Sequence, residues 1–200
     1  IEADLNLSEP LLKSLFRDSE GGGDIFGPSS PHPSLLWALE KLCWAPDYFG
    51  RAARILTQLV AIDPGGRLSN RPIESLRKVT SGWIVLSGAT VEDKIAVIER
   101  ALRVIPDVGW QLLMAVWPSA HAVAFSPTEP KYRDWGPKKQ SVSYADWGRY
   151  LEELTRLASD AAGGRADRWK ELIPKIDDMP PRERADLVKS FSGVSVSVAW

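Results

Sequence analysis

The chain has 200 residues, enough for one or two domains, and 44% of them are apolar, which suffices for a real core. Its 25 basic and 26 acidic side chains leave a net charge of -1, so no bulk field draws it to nucleic acid or to an anionic membrane. Cys43 is the only cysteine, which excludes an intrachain disulfide or a thiol-rich metal site and suits a reducing compartment, with the cytoplasm as the expected location. No apolar run approaches the ~20 residues of a membrane helix, and the start of the chain lacks a signal-peptide pattern. A first residue of Ile1 instead of methionine reads as a piece excised from a longer protein.

Ser8 and Pro10 open a short predicted helix through Leu12, Leu15 and Phe16. Asp18 to Pro33, with its Gly triplet and prolines, reads as a flexible loop, so residues 1–33 are expected to be a short N-terminal helix and a Gly/Pro loop before the main domain. From Ser34 the positions Leu35, Leu36, Leu39, Leu42 and Cys43 follow helical spacing. Pro46 and Asp47 close that helix and cap the next, which carries Phe49, Ala52, Ala53, Leu56, Leu59 and Val60. Asp63-Pro64-Gly65-Gly66 stops it. Pro72 opens a third helix with Ile73, Leu76 and Val79, while Gly82 to Gly88 fits either a strand or a buried loop.

Thr90 to Asp93 matches a capping-box variant before Val91, Ile95, Ile98, Leu102 and Ile105. After Pro106, Asp107 is placed to cap a nearly all-apolar helix through Trp117. Ala120 to Gln140 is a long irregular crossing. Ser143 and Asp146 repeat the capping pattern before Trp147, Tyr150, Leu151, Leu154 and Ala158, with Arg149/Glu153 and Glu152/Arg156 as expected i,i+4 pairs on the outer face. Gly163-Gly164 breaks this helix, Arg165 to Ile176 forms further turns, and Pro180-Pro181 begins a last helix through Phe191. Residues 194–200 are a tail.

The expected fold is therefore all-α: an irregular array of antiparallel helical hairpins over residues 34–193, either a HEAT- or TPR-like solenoid or a helical bundle. The nearest internal echo, Ile55 to Pro64 against Val97 to Pro106, falls short of a repeat.

Chemical motifs are sparse. His32 and His121 are the only histidines, and neither has the spacing to activate Cys43 or a serine. Cys43 lies on an apolar stripe, where a thiol behaves as a small apolar group. Neither Gly21-Gly22-Gly23 nor Gly65-Gly66 leads into the Lys-Ser/Thr of a phosphate loop, and Asp18, Glu20 and Asp24 lack an EF-hand framework. No catalytic, cofactor or metal site is expected. Trp37, Trp44, Trp110 and Trp117, at helical spacing beside leucines, read as core, their indole N–H groups free to donate to loop carbonyls.

Two basic clusters are candidate contact surfaces. One is Arg67, Asn70, Arg71 and Arg77, with Lys78, around the Asp63 to Pro72 corner. The other is Lys131, Tyr132, Arg133, Trp135, Lys138 and Lys139 in the long crossing, where an aromatic ring beside cations suits a stacked base. The competing reading gives the arginines to local carbonyls and carboxylates and Trp135 to the core.

Ala38-Leu39-Glu40, Trp44-Ala45-Pro46-Asp47-Tyr48, Arg54-Ile55-Leu56, the run Ile62 to Pro72 with Ser75-Leu76-Arg77, Val108 to Leu113, and Ser126-Pro127-Thr128 with Arg133-Asp134-Trp135 carry a resemblance. Over about half the chain they resemble a C-terminal helical region of very large bacterial multidomain proteins. The resemblance implies attachment to effector and STAND-type NTPase-like modules, in proteins similar to defence sensors or regulators. It carries over no catalytic residue. Gly82-Trp83-Ile84-Val85 departs from the proline- and tryptophan-rich corner usual after Ser75-Leu76-Arg77. The function expected is a non-enzymatic scaffold or sensor region that contacts other domains of its parent or a protein partner. The alternative is a nucleic-acid-binding regulatory domain.

Overall fold

A computed structural model describes residues 31–65, 70–119, 129–130, 133, 135 and 141–193. The expected short helix near Leu11, the glycine triplet, the acidic loop around Asp18 and the tail 194–200 lie outside them, as does most of the crossing. The described residues contain α-helices and one 3-10 helix and no strand, so the chain is all-α.

α1 (His32–Leu42) starts earlier than its apolar spacing predicts, because Pro33 fits the first turn, where its missing N–H costs nothing. His32, expected in a loop, is thereby helical and fully buried. α2 (Pro46–Ala61), α3 (Pro72–Thr80) and α5 (Pro106–Ala115) each open on proline. Asp47 and Asp107, expected as caps, come one residue too late. They occupy the first turn, where a carboxylate favours the positive end of the helix dipole without accepting an end amide.

The other two caps predicted among the described residues form. Before α4 (Val91–Val104), Thr90 Oγ1 accepts from the Asp93 amide at 3.1 Å, and Asp93 Oδ2 accepts from the Thr90 amide at 3.0 Å. Before α6 (Tyr144–Ala162), Ser143 Oγ accepts from the Asp146 amide at 3.0 Å. α7 (Ala166–Leu172) runs into the 3-10 helix Ile173–Asp178, and α8 (Pro181–Ser192) follows. The acidic pair Asp177 and Asp178 closes that 3-10 turn.

The segment 81–90 is a buried loop and not a strand. The Gly88 amide donates to the Cys43 carbonyl at 2.9 Å, Ser87 Oγ donates to the Val79 carbonyl at 2.8 Å, and Leu86 is buried. At Gly82 the backbone lies flat on the Tyr150 ring, where an added Cβ would come within 2.3 Å of ring carbons. The Tyr150 hydroxyl donates to the Thr80 carbonyl at 2.8 Å. That ring shapes the loop from the inside, which is why the local sequence was ambiguous.

One apolar cluster runs from Leu36 of α1 to Leu187 of α8, through Leu56, Leu76, Ile98, Leu113, Leu154 and Leu172. Helices of 7 to 19 residues share it, so the assembly shows no repeated unit in its element lengths. α4 and α5 cross so closely that a Cβ at Gly109 would lie 2.3 Å from the Leu102 backbone nitrogen. Trp44, Trp110 and Trp117 are core as expected. Trp110 donates to Glu171 Oε2 at 2.7 Å, tying α5 to α7, and Trp117, two residues past the end of α5, donates to the Lys175 carbonyl of the 3-10 turn at 3.0 Å. Trp37 is the exception: it is 57% exposed, because it falls on the side of α1 that no described helix covers. No helix of the described residues is long and apolar enough to cross a membrane.

Candidate functional site

The first predicted cluster is architectural where it is described. Asp63, just past α2, accepts from the Gly65 amide at 3.1 Å and from Arg71 Nε at 3.0 Å, so one carboxylate both shapes the corner and holds the entry to α3. Arg77 pairs with Glu74 at 2.9 Å within α3. Asn70 is half-buried beside this corner. Lys78 reaches back to Glu40 at 3.4 Å. Arg67 lies outside the described residues.

Of the second cluster, Lys131, Tyr132, Lys138 and Lys139 lie outside the described residues, as does His121. Arg133 and Trp135 are described. The Arg133 guanidinium is 4.9 Å from the Trp135 ring centre, and Trp135 meets Tyr48 of α2 edge-on at 6.4 Å. Trp135 is half-buried against an exposed tyrosine, so it does not plug the core.

Three polar or titratable groups of the described residues, Cys43, Ser75 and Lys94, are internal. Cys43 has no exposed surface; burial, reinforced by the Glu40 charge, pushes its thiol up to about 12, which leaves almost no thiolate near neutrality. Ser75 is fully buried and donates to Glu40 Oε1 at 2.6 Å, which stitches α3 to α1. Lys94 is buried, donates to the Ser81 carbonyl at 2.9 Å, and is lowered to about 8 by desolvation. Among the described residues no three His, Cys, Asp or Glu side chains gather to hold a metal ion.

Open concave surface occurs on both flanks of α4. Between α4 and α6 a groove of about 440 Å³ is lined by Glu92, Glu99, Glu152 and Glu153 with one arginine, Arg149. Its edges are cross-linked, though not by the predicted pairs. Arg149 pairs with Asp146 and with Glu92 at 2.7 Å, Arg156 with Glu153 at 2.8 Å and Glu99 at 3.7 Å, and Glu152 with Arg182 of α8 at 3.3 Å. Arg156 also holds Asp160 at 3.2 Å, an i,i+4 pair outside those predicted; the predicted Arg149/Glu153 and Glu152/Arg156 pairs give way to i−3 carboxylates, to Asp160 and to neighbouring helices, with α4 presenting glutamates across the seam.

Between α4 and α2 a larger groove, about 730 Å³, carries the opposite charge. Arg51 and Arg54 of α2 and Arg100 of α4 line it over an apolar floor that includes Ala96 and Val97. Elsewhere among the described arginines, Arg71, Arg77, Arg149, Arg156, Arg165, Arg168, Arg182 and Arg184 each face a carboxylate, and Arg133 lies over a ring. Arg51, Arg54 and Arg100 have no ion pair or hydrogen bond among the described residues, although Arg54 is half-buried; Arg103, exposed at the end of α4 and outside the groove, has none either. Sequence reasoning missed them because they lack a local cluster: two are one helical turn apart, and the third arrives from another helix.

Fold and site together define an all-α chain in which Cys43, Ser75 and Lys94 are internal and a basic and an acidic groove flank one helix among the described residues. Compared with known proteins, the chain matches no family model, no curated protein and no solved structure.

Proposed function

We propose that the chain is a non-enzymatic helical scaffold or sensor region of a larger bacterial multidomain protein, acting by contact with other domains or with a protein partner. The observation that carries this reading is the division between inside and outside. Cys43, Ser75 and Lys94 are sealed from solvent, while unpaired cationic surface is left open between α2 and α4. A nucleophile or general base works only within reach of a substrate, whereas a desolvated or unpaired charge at a surface gains most from a complementary partner.

The test is cross-linking mass spectrometry on the complete parent protein, with this region present or deleted. Reproducible cross-links from α2 or α4 to another domain or to a bound protein are expected. Turnover of a substrate by the isolated chain, abolished on replacing one of its own side chains, would show that the reading is wrong.

A further inference from the structure

We propose that the α2–α4 groove is a docking site for an acidic, amphipathic segment of a protein partner, whose carboxylates pair with Arg51, Arg54 and Arg100 while its apolar side chains rest on Ala96 and Val97. The inference deepens the scaffold reading and rests on it.

Three observations lead to this occupant. First, the cations are unspent: nine of the described arginines have a carboxylate or a ring, and of the four without, Arg51, Arg54 and Arg100 converge on one groove while exposed Arg103 lies outside it. A half-buried guanidinium such as Arg54 loses part of its hydration without recovering it from a partner in this chain, and a carboxylate supplied from outside restores that loss through two parallel N–H donors. Second, the spacing suits a regular segment. Arg51 and Arg54 are one turn apart on α2, so acids three or four residues apart on a facing helix meet them in succession, and Arg100 closes from the opposite wall. Third, the floor between the arginines is apolar and shallow, which favours small aliphatic side chains beside the acids.

A phosphate backbone is the other polyanion that arginines attract, and the face around the groove discriminates against it. Glu92, Glu99, Glu152 and Glu153 lie just across α4, and a helix is only about 10 Å wide, comparable with the Debye length near 0.1 M salt. A duplex or extended strand wider than the groove would meet those glutamates. Asp47 and Asp93 also line the basic groove itself, which a polymer of evenly spaced charges tolerates poorly. A protein segment avoids both by carrying basic or neutral residues where its path crosses them.

The test uses the complete chain, labelled with 15N so that the arginine Nε–H resonances report directly. The probe is a designed helical peptide of about five turns, bearing glutamates at three- and four-residue spacing with alanine and leucine between them. A lysine-for-glutamate version and a short DNA duplex serve as the contrasting arms. The expected result is a shift of the Arg51, Arg54 and Arg100 signals on adding the acidic peptide, and at least about a tenfold loss of affinity in the Arg54→Glu/Arg100→Glu variant, whose circular dichroism is unchanged. Absence of binding at low salt, binding that ignores the double variant, or tighter binding of the duplex through the same arginines would each overturn the proposal. A protein partner cross-linked to the parent but retained by the double variant would remove the groove assignment and leave the scaffold reading in place.

Discussion

Lys94 and Glu40 are the residues in which burial and charge most directly oppose each other. Lys94 has a carbonyl partner and no carboxylate in hydrogen-bond contact, and its ammonium is lowered from 10.5 to about 8. Between those two pH values the unfolded chain holds a proton that the folded chain has released. Stability attributable to this side chain therefore rises as pH increases from about 8 to 10.5, and below 8 the burial cost is present in full. Thermal melts of the wild type and Lys94→Met across that range should show the wild type gaining on the variant as the pH rises. Glu40 presents the reverse case, a buried carboxylate satisfied by Ser75 and Lys78 from α3. Glu40→Ala strands a buried hydroxyl and loses a charge-assisted bond, a cost of about 2 kcal/mol. Urea unfolding should record that loss, with Glu40→Gln retaining part of it because the amide oxygen still accepts from Ser75.

Elements differ in how far their sequence announces them. Pro72 and the Ser143 and Thr90 caps mark helix starts through chemistry within a few residues, so these were legible, whereas Asp47 and Asp107 were read as caps one residue past the prolines that open their helices. The segment 81–90 was not, because Tyr150 and the Cys43 carbonyl, far away in the chain, decide its path. The outward pairs of α6 were misread in part for a related reason: Glu92 and Glu99 come from α4, which a helix wheel does not list, while within α6 the arginines take Asp146, Glu153 and Asp160 over the predicted partners. At the α4–α5 crossing, Gly109→Ala sets a helix-propensity gain of about 1 kcal/mol against a collision with backbone atoms that cannot rotate away. Overpacking of this kind costs about 1–3 kcal/mol. The crossing should win, so the variant is expected to unfold at lower urea concentration than the wild type.

At the scale of the whole molecule, a single apolar cluster from α1 to α8 predicts a single transition. Far-ultraviolet circular dichroism and tryptophan fluorescence should give coincident melting curves, since Trp110 and Trp117 fasten α5 to the C-terminal helices. Separate midpoints would mean that α6 to α8 unfold as their own unit. Helical class and most of the core were readable from the spacing of leucines and valines. The basic groove was not, because whether an arginine is paired depends on its neighbours in space: Arg71 finds Asp63 eight residues earlier, while Arg51 finds none. Trp37 teaches the same lesson in reverse, since a tryptophan at core spacing is exposed wherever nothing covers its side of the helix. The glycine at the α4–α5 crossing has a mechanical consequence as well. With only a hydrogen between two backbones, sliding either helix by one residue would drive a side chain into that gap, so the pair is registered like a pin in a hole. Arg100 rides on the pinned helix, so the α4 wall of the basic groove shifts against α2 together with α5, and not by α4 sliding alone.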